Sequence, residues 1–199
     1  MASGAGLNRR VWPALALALA LASCGVWFAG LDSSRWDWQP SLALSQPWRW
    51  WTAAGVHFSV WHLGANLAGC AVVAAFGWAA GCGRRATLAW VLAWPLGHLG
   101  LLLDPGLSHY GGLSGVLHAG VAIAAWQAWC GGHRSWIAVG VLAGLVVKIA
   151  SESPWELALR PLPEWGIMVA PLAHATGAAA GLLSAMLLLR RYPPLPGRT

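Results

Sequence analysis

The chain has 199 residues, of which 58% are hydrophobic and only 9% charged, against the ~25% charged residues of an ordinary soluble domain. That deficit excludes a soluble globular protein and marks a membrane protein before any motif is considered. It also removes the nucleic-acid reading that a net charge of +6 would otherwise invite.

In chain order, residues 11–30 are apolar and long enough to cross a ~30 Å hydrocarbon core. Residues 31–51 are mixed and rich in tryptophan, with Asp32, Arg35, Asp37 and Arg49. Residues 53–81 form a second apolar run, broken by Cys82-Gly83-Arg84-Arg85. Residues 86–103 read as a third span, residues 104–110 as a polar loop and residues 112–130 as a fourth span. Gly131-Gly132-His133-Arg134 turns the chain. Residues 135–150 read as a fifth span, residues 151–165 as a polar, proline-containing loop and residues 166–189 as a sixth span. The basic, proline-rich stretch 190–199 reads as a tail. The predicted organisation is a cytoplasmic segment over 1–10, a six-helix membrane domain over 11–189 and a cytoplasmic tail over 190–199. The sixteen tryptophans fit the membrane–water boundary. Cys24, Cys70, Cys82 and Cys130 show neither CxxC nor zinc-site spacing and read as small apolar packing residues. No metal or other cofactor is expected.

Six spans place both termini on one side, and the charges choose that side. Arg9, Arg10, Arg84, Arg85, Arg134, Arg190, Arg191 and Arg198 fall with the termini. Asp32, Asp37, Asp104, Glu152, Glu156 and Glu164 all fall opposite, joined by Arg35, Arg49 and Arg160 in loops and by Lys148 at a helix end. The bias of basic residues toward the cytoplasm then predicts cytoplasmic termini. Arg9-Arg10 followed by an apolar run and Leu21-Ala22-Ser23-Cys24-Gly25 resembles a lipoprotein signal. The apolar run continues past Cys24 to Phe28, which suits a retained helix better.

Ser114 stands between glycines in Gly111-Gly112-Leu113-Ser114-Gly115, where the fourth span begins. His62 and Asn66 lie in the second span and His174 in the sixth. Spans two, four and six run inward in parallel, and their inner ends lie 15 or 16 residues beyond Asn66, Ser114 and His174. At 1.5 Å per residue all three sit roughly 22–24 Å above the inner boundary. A serine hydroxyl becomes a nucleophile when a histidine takes its proton. The oxyanion that follows needs donors. His62 and Asn66 are one helical turn apart and point from one face, and the backbone N–H groups around Leu113 to Gly115 open a helix without intrahelical partners. No acidic residue lies in a span core, so the expectation is a Ser114–His174 dyad without a third member. Each residue also has a plainer reading. Ser114 beside Gly115 suits helix packing, His62 and Asn66 can tie helices together, and Gly177 and Gly181 form a small-residue seam with Ala173. Polar groups sharing one membrane depth favour function, because such groups are costly there.

Gly112-Leu113-Ser114-Gly115, with His62-x3-Asn66 before it and His174-x2-Gly177-x3-Gly181 after it, resembles the rhomboid intramembrane serine proteases. Pro47-Trp48-Arg49 resembles that family's Trp-Arg element, and the likeness spans residues 46–185. It implies an all-α, polytopic, six-transmembrane-helix rhomboid-like bundle. Ser114 would be the nucleophile and His174 the general base, with His62, Asn66 and the Ser114 backbone as the oxyanion site. Gly177 and Gly181 would let the sixth helix pack on the fourth. His118 occupies the place where the family commonly carries an aromatic residue that stacks on the catalytic histidine.

The small size and Leu113-Ser114-Gly115-x-Leu117-His118 resemble the rhombosortase branch. That resemblance implies a bacterial inner-membrane enzyme with its active site facing the periplasm. Its partners would be membrane lipid and single-pass envelope proteins with a C-terminal Gly-Gly, an apolar helix and a basic tail, and no nucleic acid. Two other classes compete: a non-catalytic member that binds transmembrane clients, and a haem protein built on His62, His118 and His174.

Overall fold

A computed structural model of the chain describes residues 2–131 and 135–189. Part of the predicted turn, residues 132–134, and the predicted tail, residues 190–199, lie outside the described residues, as do the charges of Arg134, Arg190, Arg191 and Arg198. The helices are α1 (Ala2–Phe28), the short α2 (Arg49–Thr52), α3 (Val60–Ala79), α4 (Arg84–Gly100), α5 (Ser114–Cys130), α6 (Ser135–Ser151) and α7 (Pro171–Leu188). A small antiparallel pair, β1 (Arg160–Leu162) and β2 (Ile167–Val169), joins α6 to α7. The segments Asn8–Phe28, Val60–Ala79, Arg84–Leu103 and Pro171–Leu188 are long and apolar enough to cross a membrane. The two remaining long helices, α5 and α6, have 17 residues each. The chain is therefore a mostly helical, multi-pass membrane protein.

α5 is the central helix and packs on α3, α4, α6 and α7. Gly115, Val116, Leu117, Ala119, Gly120, Ala122, Ile123, Ala124 and Ala125 are all buried. A helix apolar on every side belongs inside a bundle. Its small residues let neighbours approach closely. A Cβ on Gly177 would run into the Gly115 carbonyl, and one on Gly181 would lie 2.5 Å from the Ala119 carbonyl oxygen. On α4, a Cβ at Gly97 would come within 3.2 Å of the Gly177 Cα. Because these obstacles are backbone, Gly177→Ala is expected to cost about 1–3 kcal/mol, as overpacking does. Thermal unfolding in detergent measures it.

Three tryptophans depart from the boundary expectation. Trp12, Trp38 and Trp90 are fully buried. Trp12 and Trp90 stack with ring centroids 4.4 Å apart. Each finds a backbone acceptor for its indole N–H: the Val73 carbonyl at 2.9 Å for Trp12 and the Val116 carbonyl at 2.7 Å for Trp90. A satisfied indole buries its large apolar face without a polar penalty.

Several predicted boundaries shift. The second span, expected from residue 53, opens with a 3₁₀ turn at Ala53–Gly55, and α3 starts only at Val60. There the Ser59 side chain caps the helix by accepting the His62 N–H at 3.1 Å. The sixth span, expected from residue 166, yields its first residues to β2, and α7 starts at Pro171. Proline suits a first helical position, where its missing N–H costs nothing. Gly166, at φ +65°, makes the left-handed turn that sends the chain back against β1.

The first loop folds around Arg49, which is 4% exposed. Its Nη1 donates to the Asp37 carbonyl at 2.7 Å, to Asp37 Oδ1 at 3.0 Å and to the Ser34 carbonyl at 2.9 Å. Its Nε donates to Gln46 Oε1 at 2.7 Å. The other Asp37 oxygen meets His109 Nδ1 at 2.7 Å. Trp38 and Tyr110 exchange backbone hydrogen bonds of 2.7 and 2.9 Å, tying this loop to the segment that leads into α5.

Candidate active site

Ser114 is the first residue of α5, with Leu113 as its N-cap. The approach is held on both sides. Gly112 N–H donates to the Ala53 carbonyl at 2.9 Å, and the Tyr110 hydroxyl donates to the Gly112 carbonyl at 3.1 Å. Gly112 has φ +126°, a conformation that needs glycine, and a Cβ there would lie 2.6 Å from His62 Nε2. The Leu113 side chain is fully buried in the main core, so it anchors the turn that leads into Ser114.

His174 stands in the first turns of α7 and is 5% exposed. Its Nε2 lies 3.0 Å from Ser114 Oγ. His118, one turn below Ser114 on α5, stacks on the His174 ring with centroids 4.3 Å apart and planes 15° apart. A histidine thus takes the stacking place. Its Nδ1–H donates to the Ser114 carbonyl at 2.6 Å.

His62 and Asn66, on α3, are buried and line the same cavity as Ser114, His118 and His174. That cavity has a volume of about 440 Å³ and is bordered on its far side by the β1–β2 hairpin. His57 lies beside Asn66. Burial pushes its imidazole down to about 4, against a smaller opposing effect of the Gly55 carbonyl, so it is neutral at ordinary pH. Its Nδ1–H donates to Gly55 at 3.1 Å, which leaves Nε2 to accept one Asn66 amide N–H at 3.1 Å. The second amide hydrogen of Asn66 remains available to a ligand in the cavity.

The expectation of a site without an acidic member fails. Glu152 Oε2 lies 2.7 Å from His174 Nδ1. Burial pushes its carboxyl up, but the hydrogen bonds and charges of His174 and Lys148 outweigh this and bring it down to about 2. Lys148 Nζ lies 2.8 Å from His174 Nδ1, 2.7 Å from His118 Nε2 and 3.0 Å from Glu152. Counting within spans missed Glu152 because it stands one residue beyond α6, in a segment read as solvent loop. The i, i+4 spacing of Lys148 and Glu152 at the C-terminal end of an otherwise apolar helix was the available signal.

Trp48 and Arg49 do not reach the cavity. Trp48 is 48% exposed at the start of α2, and Arg49 holds the first loop. Gly115 and Gly177 meet behind Ser114, and Gly181 meets Ala119 one turn further in. Among the described residues no group of three or more His, Cys, Asp or Glu is arranged to hold a metal ion. Both ring nitrogens of His118 and of His174 already face protein partners.

In comparison with known families, the model for the Rhomboid domain matches residues 44–191. No curated protein matches the chain.

Proposed function

As this chain belongs to the rhomboid family, we propose that it is an intramembrane serine endopeptidase cleaving transmembrane proteins, with Ser114 as nucleophile and His174 as general base. The observation that carries the reading is the 3.0 Å contact of Ser114 Oγ with His174 Nε2 inside a cavity that His62 and Asn66 also line. Nε2 takes the hydroxyl proton as Oγ attacks the scissile carbonyl, and the resulting imidazolium gives that proton to the leaving amine. The acyl-enzyme is then hydrolysed by a water that Nε2 activates in turn. The developing oxyanion meets the free amide hydrogen of Asn66, the His62 ring and the backbone N–H groups of Leu113 to Gly115, which lack intrahelical acceptors. His118 supports the base by stacking on it. Gly112, Gly177 and Gly181 keep the three helices close enough for these groups to meet.

The finer reading is a rhombosortase-like enzyme of the bacterial inner membrane. It has six spans, cytoplasmic termini and a cavity open to the periplasm. Its substrates are single-pass envelope proteins with a C-terminal Gly-Gly, an apolar helix and a basic tail. Support comes from the segregation of basic and acidic loop residues and from Leu113-Ser114-Gly115-x-Leu117-His118.

The test is cleavage, in membranes, of a reporter ending in Gly-Gly, an apolar helix and a basic tail, beside fluorophosphonate labelling of the purified protein. Labelling at Ser114 with cleavage of the tailed reporter supports both levels. Labelling with indifference to the Gly-Gly tail removes the rhombosortase reading alone. A folded protein that neither labels nor cleaves any transmembrane reporter supports a client-binding member instead. Asn66→Ala is expected to lower kcat/KM by ~2–4 kcal/mol of transition-state stabilisation, as loss of one oxyanion donor does, with little change in melting temperature. An unchanged kcat/KM would remove Asn66 from the oxyanion site.

A further inference from the structure

His174 Nδ1 faces two groups that make opposite demands on it. Glu152 Oε2, at 2.7 Å, is an acceptor and needs a proton on Nδ1. The Lys148 ammonium, at 2.8 Å, is a donor and needs a lone pair there. A neutral imidazole offers one or the other. With the proton on Nδ1, the Nε2 lone pair faces the Ser114 hydroxyl and can take its proton. With the lone pair on Nδ1, Nε2 carries hydrogen, donates to Ser114 Oγ and cannot act as a base.

We propose that Glu152 is the third member of the catalytic array, a positioning residue that selects the productive His174 tautomer, and that the Glu152–His118 contacts of Lys148 divert its ammonium from His174. The inference rests on the Ser114–His174 reading above.

The hydrogen bonds around this centre close consistently in one tautomer. His118 Nδ1–H donates to the Ser114 carbonyl at 2.6 Å, so its Nε2 is an acceptor and takes a Lys148 N–H at 2.7 Å. Both Glu152 oxygens lie 3.0 Å from Lys148 Nζ, which gives the other ammonium hydrogens a charged acceptor. His174 Nδ1–H is then left to the nearer group, Glu152 Oε2. In the opposite tautomer the Nδ1 lone pair would face a carboxylate oxygen lone pair at 2.7 Å. An ordinary i, i+4 lysine–glutamate pair at a helix end needs no function. This pair differs because both members line the cavity and both contact the base. Glu152 also stabilises the imidazolium that forms when Ser114 gives up its proton, and the carboxylate itself stays ionised.

The test measures the phosphonylation of Ser114 by a fluorophosphonate on the full chain in detergent. The Oγ–P bond forms, the P–F bond breaks, the hydroxyl proton passes to His174 and fluoride leaves. The saturating rate and the half-saturating concentration are read separately. Removing the acidic orienter of a serine-protease histidine, with the geometry intact, lowers kcat about 10⁴-fold. Glu152 is 27% exposed, and solvent offsets part of its loss, so Glu152→Gln is expected to lower the saturating rate by about 100-fold. The half-saturating concentration should move by less than about threefold, because binding is not at issue. Lys148→Met alone is expected to cost at most about tenfold. The deciding variant is Lys148→Met in the Glu152→Gln background. With no ammonium to hold the wrong tautomer, the glutamine oxygen accepts Nδ1–H, and the rate is expected to rise at least about tenfold above Glu152→Gln alone. A purely structural pair would lose further on the second substitution. The proposal is overturned by a Glu152→Gln rate within about threefold of the unsubstituted protein, or by a double variant no faster than Glu152→Gln. Labelling that survives Ser114→Ala is a different failure, since it removes the serine mechanism itself.

Discussion

Ser114→Ala is expected to abolish cleavage while leaving the fold in place. In a serine protease, removing the nucleophile costs about 10⁶-fold in kcat, or ~8 kcal/mol of transition-state stabilisation. The stability cost is small by comparison. Ser114 stands at the first turn of α5, its hydroxyl meets His174 Nε2 at 3.0 Å, and the helix start is closed by the Leu113 carbonyl and not by the Ser114 side chain. Losing one such hydrogen bond costs about 1 kcal/mol. His174→Ala should match it in activity, because the two act as a unit and their effects do not add. The measurement is reporter cleavage and fluorophosphonate labelling beside a melting curve for each variant. Full activity in a folded Ser114→Ala protein would end the serine mechanism.

Arg49→Ala is the substitution expected to damage the fold most. Arg49 and Asp37 are both buried, with side chains 5% and 3% exposed and a 3.0 Å contact. Removing one partner of a buried ion pair strands the other, at a cost of about 3–5 kcal/mol. Here the loss also frees the Ser34 and Asp37 carbonyls and the Gln46 side chain. The consequence reaches the site through backbone contacts. Trp38 pairs with Tyr110, and the Ala53 carbonyl holds Gly112, two residues from Ser114. Activity should therefore fall with stability, and a shift of about 1 Å at Ser114 is enough for a 100-fold loss. Arg49→Lys should recover only part of this, since an ammonium cannot reproduce the spread of a guanidinium over several acceptors. A melting temperature for Arg49→Ala matching the unsubstituted protein would show that the lock does not carry the loop.

Legibility in the sequence followed the range of the forces involved. The start of α5 could be read because glycines breaking a chain just before an apolar run are a local signal. The spacing of His62 and Asn66 could be read because helical periodicity is local as well. The hairpin of β1 and β2 could not be read. Its strands have three residues each, too short for an alternating pattern, and Ile167-Met168-Val169 looks like the start of the next helix. The part His57 plays could not be read either, because it lies in one contact with Asn66, nine positions away, made across the helix start.

The apolar runs, the segregation of basic from acidic loop residues and the identity of Ser114, His174, His62 and Asn66 as candidates are properties of the sequence alone. They depend on hydrophobicity, charge and spacing along one helix, which neighbours do not change. The tertiary structure decided which groups surround the base. Glu152 and Lys148 lie 22 and 26 positions before His174, and nothing local links them to it. They reach it because α5 packs closely against both α6 and α7. On α5, Gly115 meets Gly177 and His118 stacks on His174, and the C-terminal end of α6 meets the same two imidazoles through Lys148 and Glu152. A carboxylate beyond the end of a helix reads as solvent-exposed until the packing of its neighbours shows what it faces.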